Sequence, residues 1–175
     1  MSAENPAPGV EQAIVTAIAF ETRVRDTYRE AMDASTDETG KRVFGLLAKE
    51  EQGHLDYLNS RLEQWRKTGV VTAEALETRV PPVDVIEQGA KKLRSHLAGE
   101  DRGEEVKMLQ KAEEVERATS EFYREMVNTL EDEAQRMFAR FLEIEEGHLA
   151  IVRAEIDALS GSGYFFDLGE FNLEA

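Results

Sequence analysis

Two histidines of this chain stand in the same short motif, each three residues after a glutamate. Glu51 precedes His54 within EQGHL, and Glu145 precedes His148 within EEGHL. On a helix, residues three positions apart share one face, with their Cβ atoms roughly 5–6 Å apart. Each Glu-x-x-His pair can therefore offer one carboxylate and one imidazole to the same cation.

In four segments of the chain, apolar residues recur every three or four positions. The two motifs interrupt this apolar stripe in two of the segments, and the further glutamates Glu21 and Glu116 interrupt it in the other two. The stretches around them resemble each other, FETRVRDTYREAM against VERATSEFYREMV, and Glu116 follows Glu21 by 95 positions. The histidine of the second motif follows that of the first by 94 positions. We infer that one helical hairpin has been used twice, and that each copy supplies a lone glutamate and a Glu-x-x-His pair.

Apolar residues recur at helical spacing in four long segments, which we predict to be helices over 10–34, 38–67, 104–130 and 132–159. Their steps of three and four residues form the seam by which helices pack in bundles. The turn DASTDETG offers serine and threonine N-caps between the first two helices, and Asp132 is the N-cap candidate between the last two. Residues 68–103, with a short amphipathic piece over 84–97, have the length of a crossover along a bundle.

These elements predict an all-α fold: a four-helix bundle made of two repeated helical hairpins joined by a long crossover. We assign the bundle to residues 1–160 and an aromatic C-terminal tail to residues 161–175. The aromatic residues of the tail are Tyr164, Phe165, Phe166 and Phe171. Because such apolar density is unfavourable in water, we expect the tail to dock on its own bundle or on a dimer partner, in preference to a separate protein.

Hairpins folded near residue 36 and near Leu130 bring the polar residues of all four helices level, so that four carboxylates and two imidazoles converge. This set suits two metal ions held inside a bundle. The predicted ligands are Glu21, Glu51, His54, Glu116, Glu145 and His148. We expect the glutamates of the two motifs to bridge the ions, and the two lone glutamates to be terminal ligands. Oxygen and imidazole donors favour iron or manganese, and two divalent cations balance four carboxylates.

Tyr28 and Tyr123 lie seven residues, about two helical turns, after the lone glutamates. Their hydroxyls either hydrogen-bond ligand carboxylates across the bundle or belong to core aromatics that are satisfied elsewhere. Gly53 and Gly147, beside the two histidines, indicate close helix packing, access to the metals, or inheritance through duplication alone. The spacing does not separate these alternatives.

The 175-residue chain contains no cysteine, which excludes disulfides, iron–sulfur clusters, zinc–thiolate sites and a thiol nucleophile. A formal net charge of −15 without a basic block argues against nucleic-acid binding. No apolar run reaches the roughly 18–20 residues of a membrane span, and the start MSAENPAPGV lacks the features of a signal peptide. We therefore expect a cytoplasmic protein without nucleic-acid or membrane partners.

The third histidine, His96, falls in the crossover outside any Glu-x-x-His motif, and we assign it to the surface.

The motifs FET, KEEQGHL, VER and IEEGHL resemble the ferritin-like superfamily, and most closely its rubrerythrin-like branch. The resemblance spans about residues 10 to 160 and implies a ferritin-like four-helix bundle. It also implies two iron ions, with manganese as the alternative metal, that react with hydrogen peroxide or dioxygen.

The sequence departs from these families at three points, which bear on the electron donor, the ligand set and haem binding. The cysteines of a rubredoxin domain are absent, so the resemblance implies an external electron donor. Thr119 stands where rubrerythrins carry an additional glutamate, which leaves the six ligands that bacterioferritin also uses. Gln52 stands where bacterioferritin has its haem methionine, so we expect no haem.

Three functions follow as alternatives. The leading hypothesis is a non-haem di-iron oxidoreductase that reduces hydrogen peroxide in oxidative-stress and iron metabolism and works as a homodimer. The second is a ferroxidase or iron-storage protein of bacterioferritin type. The third is a metal-free helical interaction module that acts through the aromatic tail.

Overall fold

A computed structural model describes residues 9–93 and 103–166, and no strand occurs within these ranges. The helices are α1 Val10–Ala34, α2 Glu38–Thr68, α3 Val83–Leu93, α4 Gly103–Thr129 and α5 Asp132–Ser162. The four long helices predicted from periodicity are confirmed within three residues at each end. The short helix of the crossover is confirmed up to Leu93, while its predicted remainder and His96 lie outside the described residues. None of the helices described here is long and apolar enough to cross a membrane.

The four long helices pair as two hairpins, α1 with α2 and α4 with α5, and the hairpins meet mainly through α1 and α4. Their apolar residues form two separate clusters along the length of the bundle. On α1, for example, Ile14 belongs to one cluster and Val24 to the other, and on α5 Phe141 and Ile151 are divided in the same way. On each long helix the predicted ligands fall between the two clusters, so the polar centre is closed by hydrocarbon at both ends.

The two hairpin turns differ from the capping that the sequence predicted. The N-cap of α2 is Asp37, whose Oδ1 accepts a hydrogen bond from the Gly40 backbone N–H at 2.9 Å, rather than the serine or threonine of the turn. The Ser35 hydroxyl donates instead to Glu105 at 2.8 Å, which ties this turn to the start of α4. Asp132 is not the N-cap of α5 either: Glu131 holds that position, and Asp132 begins the helix with a φ of 54°, in the left-handed region. Aspartate tolerates that region better than most residues, which explains a reversal without glycine.

The crossover segment, residues 69–82, is anchored to the outside of the bundle. Gly69 leaves α2 with a φ of 71°, a left-handed conformation that glycine adopts without strain. Val80 is buried against the bundle, and the guanidinium of Arg140 donates two hydrogen bonds, at 3.0 and 3.1 Å, to the Leu76 carbonyl oxygen. The segment therefore runs across one face of the bundle in a defined position.

Two of the three described aromatic residues of the tail dock on their own bundle, while the third, Tyr164, is 48% exposed. Phe165 and Phe166 are buried, and the ring of Phe165 meets that of Phe44 edge-on with 5.8 Å between centroids. The backbone N–H of Phe166 donates to Glu155 at 2.8 Å. For these two residues the expectation of docking on the own bundle is confirmed, while Phe171 lies outside the described residues.

The two repeated glycines differ in their surroundings. A Cβ at Gly147 would lie 3.3 Å from Cγ1 of Val80 and 3.7 Å from the Pro81 carbonyl oxygen, both in the crossover segment. A Cβ at the exposed Gly53 would meet no atom within 4 Å in the described part of the chain. Close packing therefore accounts for one glycine of the pair and not for the other.

This difference predicts opposite outcomes for the same substitution. Gly53→Ala should raise the free energy of unfolding of the metal-free protein by about 1 kcal/mol, because alanine has a higher helix propensity than glycine at an exposed position inside a helix. Gly147→Ala should gain less or lose stability, since its new methyl group presses on Val80. Urea unfolding of both variants measures this, and equal gains at the two positions would contradict the packing described here.

Candidate metal centre

Each of the four long helices turns polar side chains inward at the middle of the bundle. These side chains are Glu21 on α1, Glu51 and His54 on α2, Glu116 on α4, and Glu145 and His148 on α5. All six are at most 1% exposed. Every residue that the sequence placed at the centre thus lies there, on the buried face of its helix.

The first group of ligand atoms surrounds the imidazole of His54. Its Nδ1 lies 3.2 Å from Oε2 of Glu21, 3.1 Å from Oε2 of Glu51 and 3.1 Å from Oε1 of Glu145. One ligand atom from each of these four residues lies within 4.8 Å of the others. Such a cluster has the size of a single cation site.

The second group surrounds the imidazole of His148. Its Nδ1 lies 2.6 Å from Oε1 of Glu51, 3.7 Å from Oε1 of Glu116 and 3.7 Å from Oε2 of Glu145. Ligand atoms of these four residues also lie within 4.8 Å of one another. The two imidazole rings are parallel, with 5.4 Å between centroids and 7° between planes.

The two groups share the carboxylates of Glu51 and Glu145. In each carboxylate one oxygen is the nearer to Nδ1 of His54 and the other oxygen is the nearer to Nδ1 of His148. A carboxylate with one oxygen in each of two adjacent sites has the geometry needed to bridge two cations. Glu21 and Glu116 each enter one group only.

Several polar atoms at the centre make no well-aligned hydrogen bond with residues 9–93 and 103–166, even where an imidazole and a carboxylate lie close together. These atoms are Oε1 of Glu51, Oε2 of Glu116, both oxygens of Glu145 and both ring nitrogens of His148. Buried polar atoms are nearly always satisfied, and unpaired buried charges are strongly unfavourable. Lone pairs of four carboxylates and two imidazoles that face one small volume fit cations bound between them.

Burial and mutual repulsion shift the protonation of the glutamates. Burial, followed by the charges of Glu145 and Glu51, raises the pKa of Glu21 well above its usual value. Burial and the charge of Glu145 raise the pKa of Glu116 in the same direction. Burial alone would also raise the pKa of Glu51, but the two histidines hold it well below its usual value. Protein groups alone thus favour the protonated forms of Glu21 and Glu116 and the charged form of Glu51, whereas bound cations would favour the charged form of all three.

The histidines respond in the opposite sense. Burial on its own would lower the pKa values of His54 and His148, but the carboxylates around them raise both well above the usual value of 6.5. Without a metal, the imidazolium forms supply the positive charge of the centre. A metal must therefore displace protons when it binds.

Two tyrosines cross the bundle to the terminal glutamates. The hydroxyl of Tyr28 on α1 donates to Oε1 of Glu116 on α4, and that of Tyr123 on α4 donates to Oε1 of Glu21 on α1. Both rings are fully buried, and Tyr28 also packs against Phe44. Of the two alternatives that the spacing left open, the structure shows the hydrogen bonds to carboxylates, and the rings are core aromatics as well. These two reciprocal hydrogen bonds follow the twofold symmetry of the repeat.

Glu50 is a polar neighbour of the centre that the sequence reasoning missed. Its Oε2 lies 3.9 Å from Nε2 of His148 and accepts a hydrogen bond from the Thr78 hydroxyl at 2.6 Å. The Arg79 backbone N–H donates to the same carboxylate at 3.2 Å. The doublet of glutamates in KEEQGHL is the signal that could have drawn attention to it. The repeat-related position holds the buried Ile144, so the two halves differ here.

Thr119 and Gln52 occupy the positions at which the sequence departs from its relatives. The buried Thr119 hydroxyl donates to the Val115 carbonyl oxygen at 2.7 Å, within its own helix. Gln52 lies at the surface of the bundle, where its side-chain oxygen accepts from Arg25 at 3.1 Å and its amide donates to Asp56 at 3.0 Å. Threonine has no carboxylate, and the Thr119 hydroxyl is bound within its own helix, so position 119 adds no further ligand to the six residues described above.

The raised pKa values predict how the stability of the metal-free protein depends on pH. Glu21, Glu116, His54 and His148 hold protons more tightly in the folded state than in the unfolded state. Their stabilisation is complete below the usual values of 4.5 for glutamate and 6.5 for histidine, and is lost as pH rises above them. The free energy of unfolding should therefore fall between about pH 6 and about pH 8, by roughly 1.4 kcal/mol per pH unit for each proton retained.

Urea unfolding in the presence of a chelator measures this slope. The control is the double variant Glu21→Gln with Glu116→Gln, in which the slope should become shallower because two titrating groups are removed. Stability that rises over the same pH interval, or a slope unchanged in the double variant, would contradict the protonation pattern of the centre.

Comparison with known proteins agrees with this geometry. Residues 12–156, which include all four long helices in large part and all six central residues, match the rubrerythrin family. No curated protein and no solved structure matches the chain. With the family match covering most of the chain, the ferritin-like resemblance and the all-helical fold are confirmed: the chain belongs to the rubrerythrin family.

Proposed function

We propose that the protein is a non-haem di-iron oxidoreductase that reduces hydrogen peroxide. The observation that supports it most is the sharing of Glu51 and Glu145 between two ligand groups, with one oxygen of each nearer to each histidine. In this proposal these two glutamates would be shared between the two ions. Glu21 and His54 would hold one ion, and Glu116 and His148 would hold the other.

The chemistry of the donors supports iron as the metal. Carboxylate oxygens and imidazole nitrogens suit iron and manganese, and family membership favours iron between the two. Four carboxylates and two divalent ions sum to zero charge, which suits a site enclosed by apolar clusters. When bound, two ferrous ions supply the two electrons that convert one hydrogen peroxide and two protons into two water molecules.

The protein's own residues hold this centre in place and keep bulk water away. The hydroxyls of Tyr28 and Tyr123 orient the terminal carboxylates, and burial together with the adjacent glutamates raises the pKa of each phenol, so both stay protonated. With no cysteine in the chain, the electrons that restore the ferrous state come from an external donor.

Ferroxidase activity is the second candidate, and Thr119 is the observation that favours it. Threonine carries no carboxylate and its hydroxyl is bound to its own helix, so this position adds no seventh ligand. The remaining six residues are the set that the resemblance to bacterioferritin implies. A ferroxidase would use the same centre to oxidise Fe(II) with dioxygen for storage, and storage requires a shell of many subunits.

Stopped-flow mixing separates the two candidates. The protein is loaded with Fe(II) without oxygen and mixed with hydrogen peroxide or with dioxygen, and oxidation of the centre is followed by absorbance. The proposal predicts oxidation at least roughly tenfold faster with peroxide. Faster oxidation by dioxygen, together with a shell-sized particle in sedimentation, would favour the ferroxidase instead.

The same experiment on paired variants tests the residues. Glu145→Gln should abolish binding of at least one iron per chain and slow the peroxide reaction by at least about 100-fold, because a bridging oxygen is lost. Glu146→Gln is the matched control, since Glu146 is exposed and bound to Arg124 at 3.1 Å. Equal iron content and equal rates in the two variants would contradict the assignment.

A further inference from the structure

The crossover segment makes the two faces of the bundle unequal at the glycines that precede the histidines. On the Gly147 face, Val80 and Pro81 lie directly over the glycine. On the Gly53 face a groove of about 300 Å³ remains, which we call the Gly53 groove; its lining includes Lys49, Glu50, Gly53, His54, Tyr57 and Arg79. One internal repeat has thus produced one covered glycine and one open glycine.

The Gly53 groove reaches the metal centre, and the neighbouring groove does not. His54 contributes to the lining of the Gly53 groove, and its buried Nε2 has no hydrogen-bond partner in the ranges that the structure describes. The groove on the other face, about 540 Å³, is lined by Ile144 and Gly147 but by none of the six central residues, all of which are described. The smaller groove is therefore the one that ends at a metal ligand.

Glu50 adds a carboxylate beside His54 at the inner end of the Gly53 groove. Ligand atoms of Glu50, His54 and His148 lie within 4.8 Å of one another. The carboxylate is held from outside by the Thr78 hydroxyl and the Arg79 backbone N–H, so it stays at the boundary between groove and centre. The repeat-related Ile144 can supply no such ligand to the other groove.

We propose that divalent metal ions reach the centre through the Gly53 groove, and that Glu50 is the transit ligand at its inner end. This inference rests on the proposed metal centre. A hydrated cation loses its water ligands in steps, and a carboxylate at the boundary replaces them before the ion meets the buried glutamates. Lys49 and Arg79 bring positive charge to the rim, which Glu50 and Glu77 offset. The chain's net charge of −15 draws cations towards it from solution.

The test measures the rate of metal uptake separately from the amount bound. Metal-free protein is mixed with Co(II), and the visible absorbance of the bound ion is followed in time and then titrated at equilibrium. Gly53→Leu fills the groove, and uptake should slow at least tenfold while the number of Co(II) ions bound stays the same. Gly53→Ala leaves most of the groove open, so its uptake should stay within about twofold of the unsubstituted protein. Leucine is tolerated in an exposed helix interior, and circular dichroism verifies folding.

Glu50→Gln tests the transit role. It should slow Co(II) uptake while leaving the equilibrium affinity within about twofold. Unchanged uptake in Gly53→Leu with full loading would overturn the route, and a loss of affinity without a loss of rate in Glu50→Gln would overturn the transit role. Failure of the unsubstituted protein to bind Co(II) would refute the proposed metal centre itself, which keeps the two failures distinct.

Discussion

Four carboxylates buried at one level of a helical bundle are the constraint on which the rest of this structure depends. Each would be strongly unfavourable alone, and the pKa values of Glu21 and Glu116 are raised by burial and by the neighbouring glutamates. Two imidazoles and two tyrosine hydroxyls compensate only part of this charge, since several oxygens accept no well-aligned hydrogen bond from the described residues. The apolar clusters above and below prevent water from compensating the remainder. Cations between the carboxylates would resolve the conflict, and they would also hold together the four helices that supply them.

The internal repeat explains how one short hairpin provides such a centre, and the crossover explains why its halves differ. Tyr28 and Tyr123 are related by the twofold axis, and the hydroxyl of each donates a hydrogen bond to the glutamate of the other half. The crossover has no counterpart in the repeat. It covers Gly147, holds the carboxylate of Glu50 and leaves Gly53 open. The nearly symmetric cluster of carboxylates and imidazoles is thereby accessible from one side.

Much of this arrangement could be predicted from the sequence, because the ligands interrupt apolar stripes that the rest of each helix maintains. The six residues and the turn between α4 and α5 followed from periodicity and from the midpoints between glutamates. Glu50 could not be found in this way, since its role depends on where Thr78 and Arg79 of an irregular segment come to lie. The left-handed φ of Asp132 likewise depends on how two packed helices must be joined, and no local sequence pattern predicts it.

The central claim is that the six side chains bind two metal ions between them. Anomalous diffraction from crystals of the iron-loaded protein, recorded on both sides of the iron absorption edge, tests it most directly. The account predicts two iron peaks roughly 3.5–4 Å apart, both within bonding distance of Glu51 and Glu145. A single peak, or iron bound only at surface carboxylates while the centre stays free of metal, would contradict it.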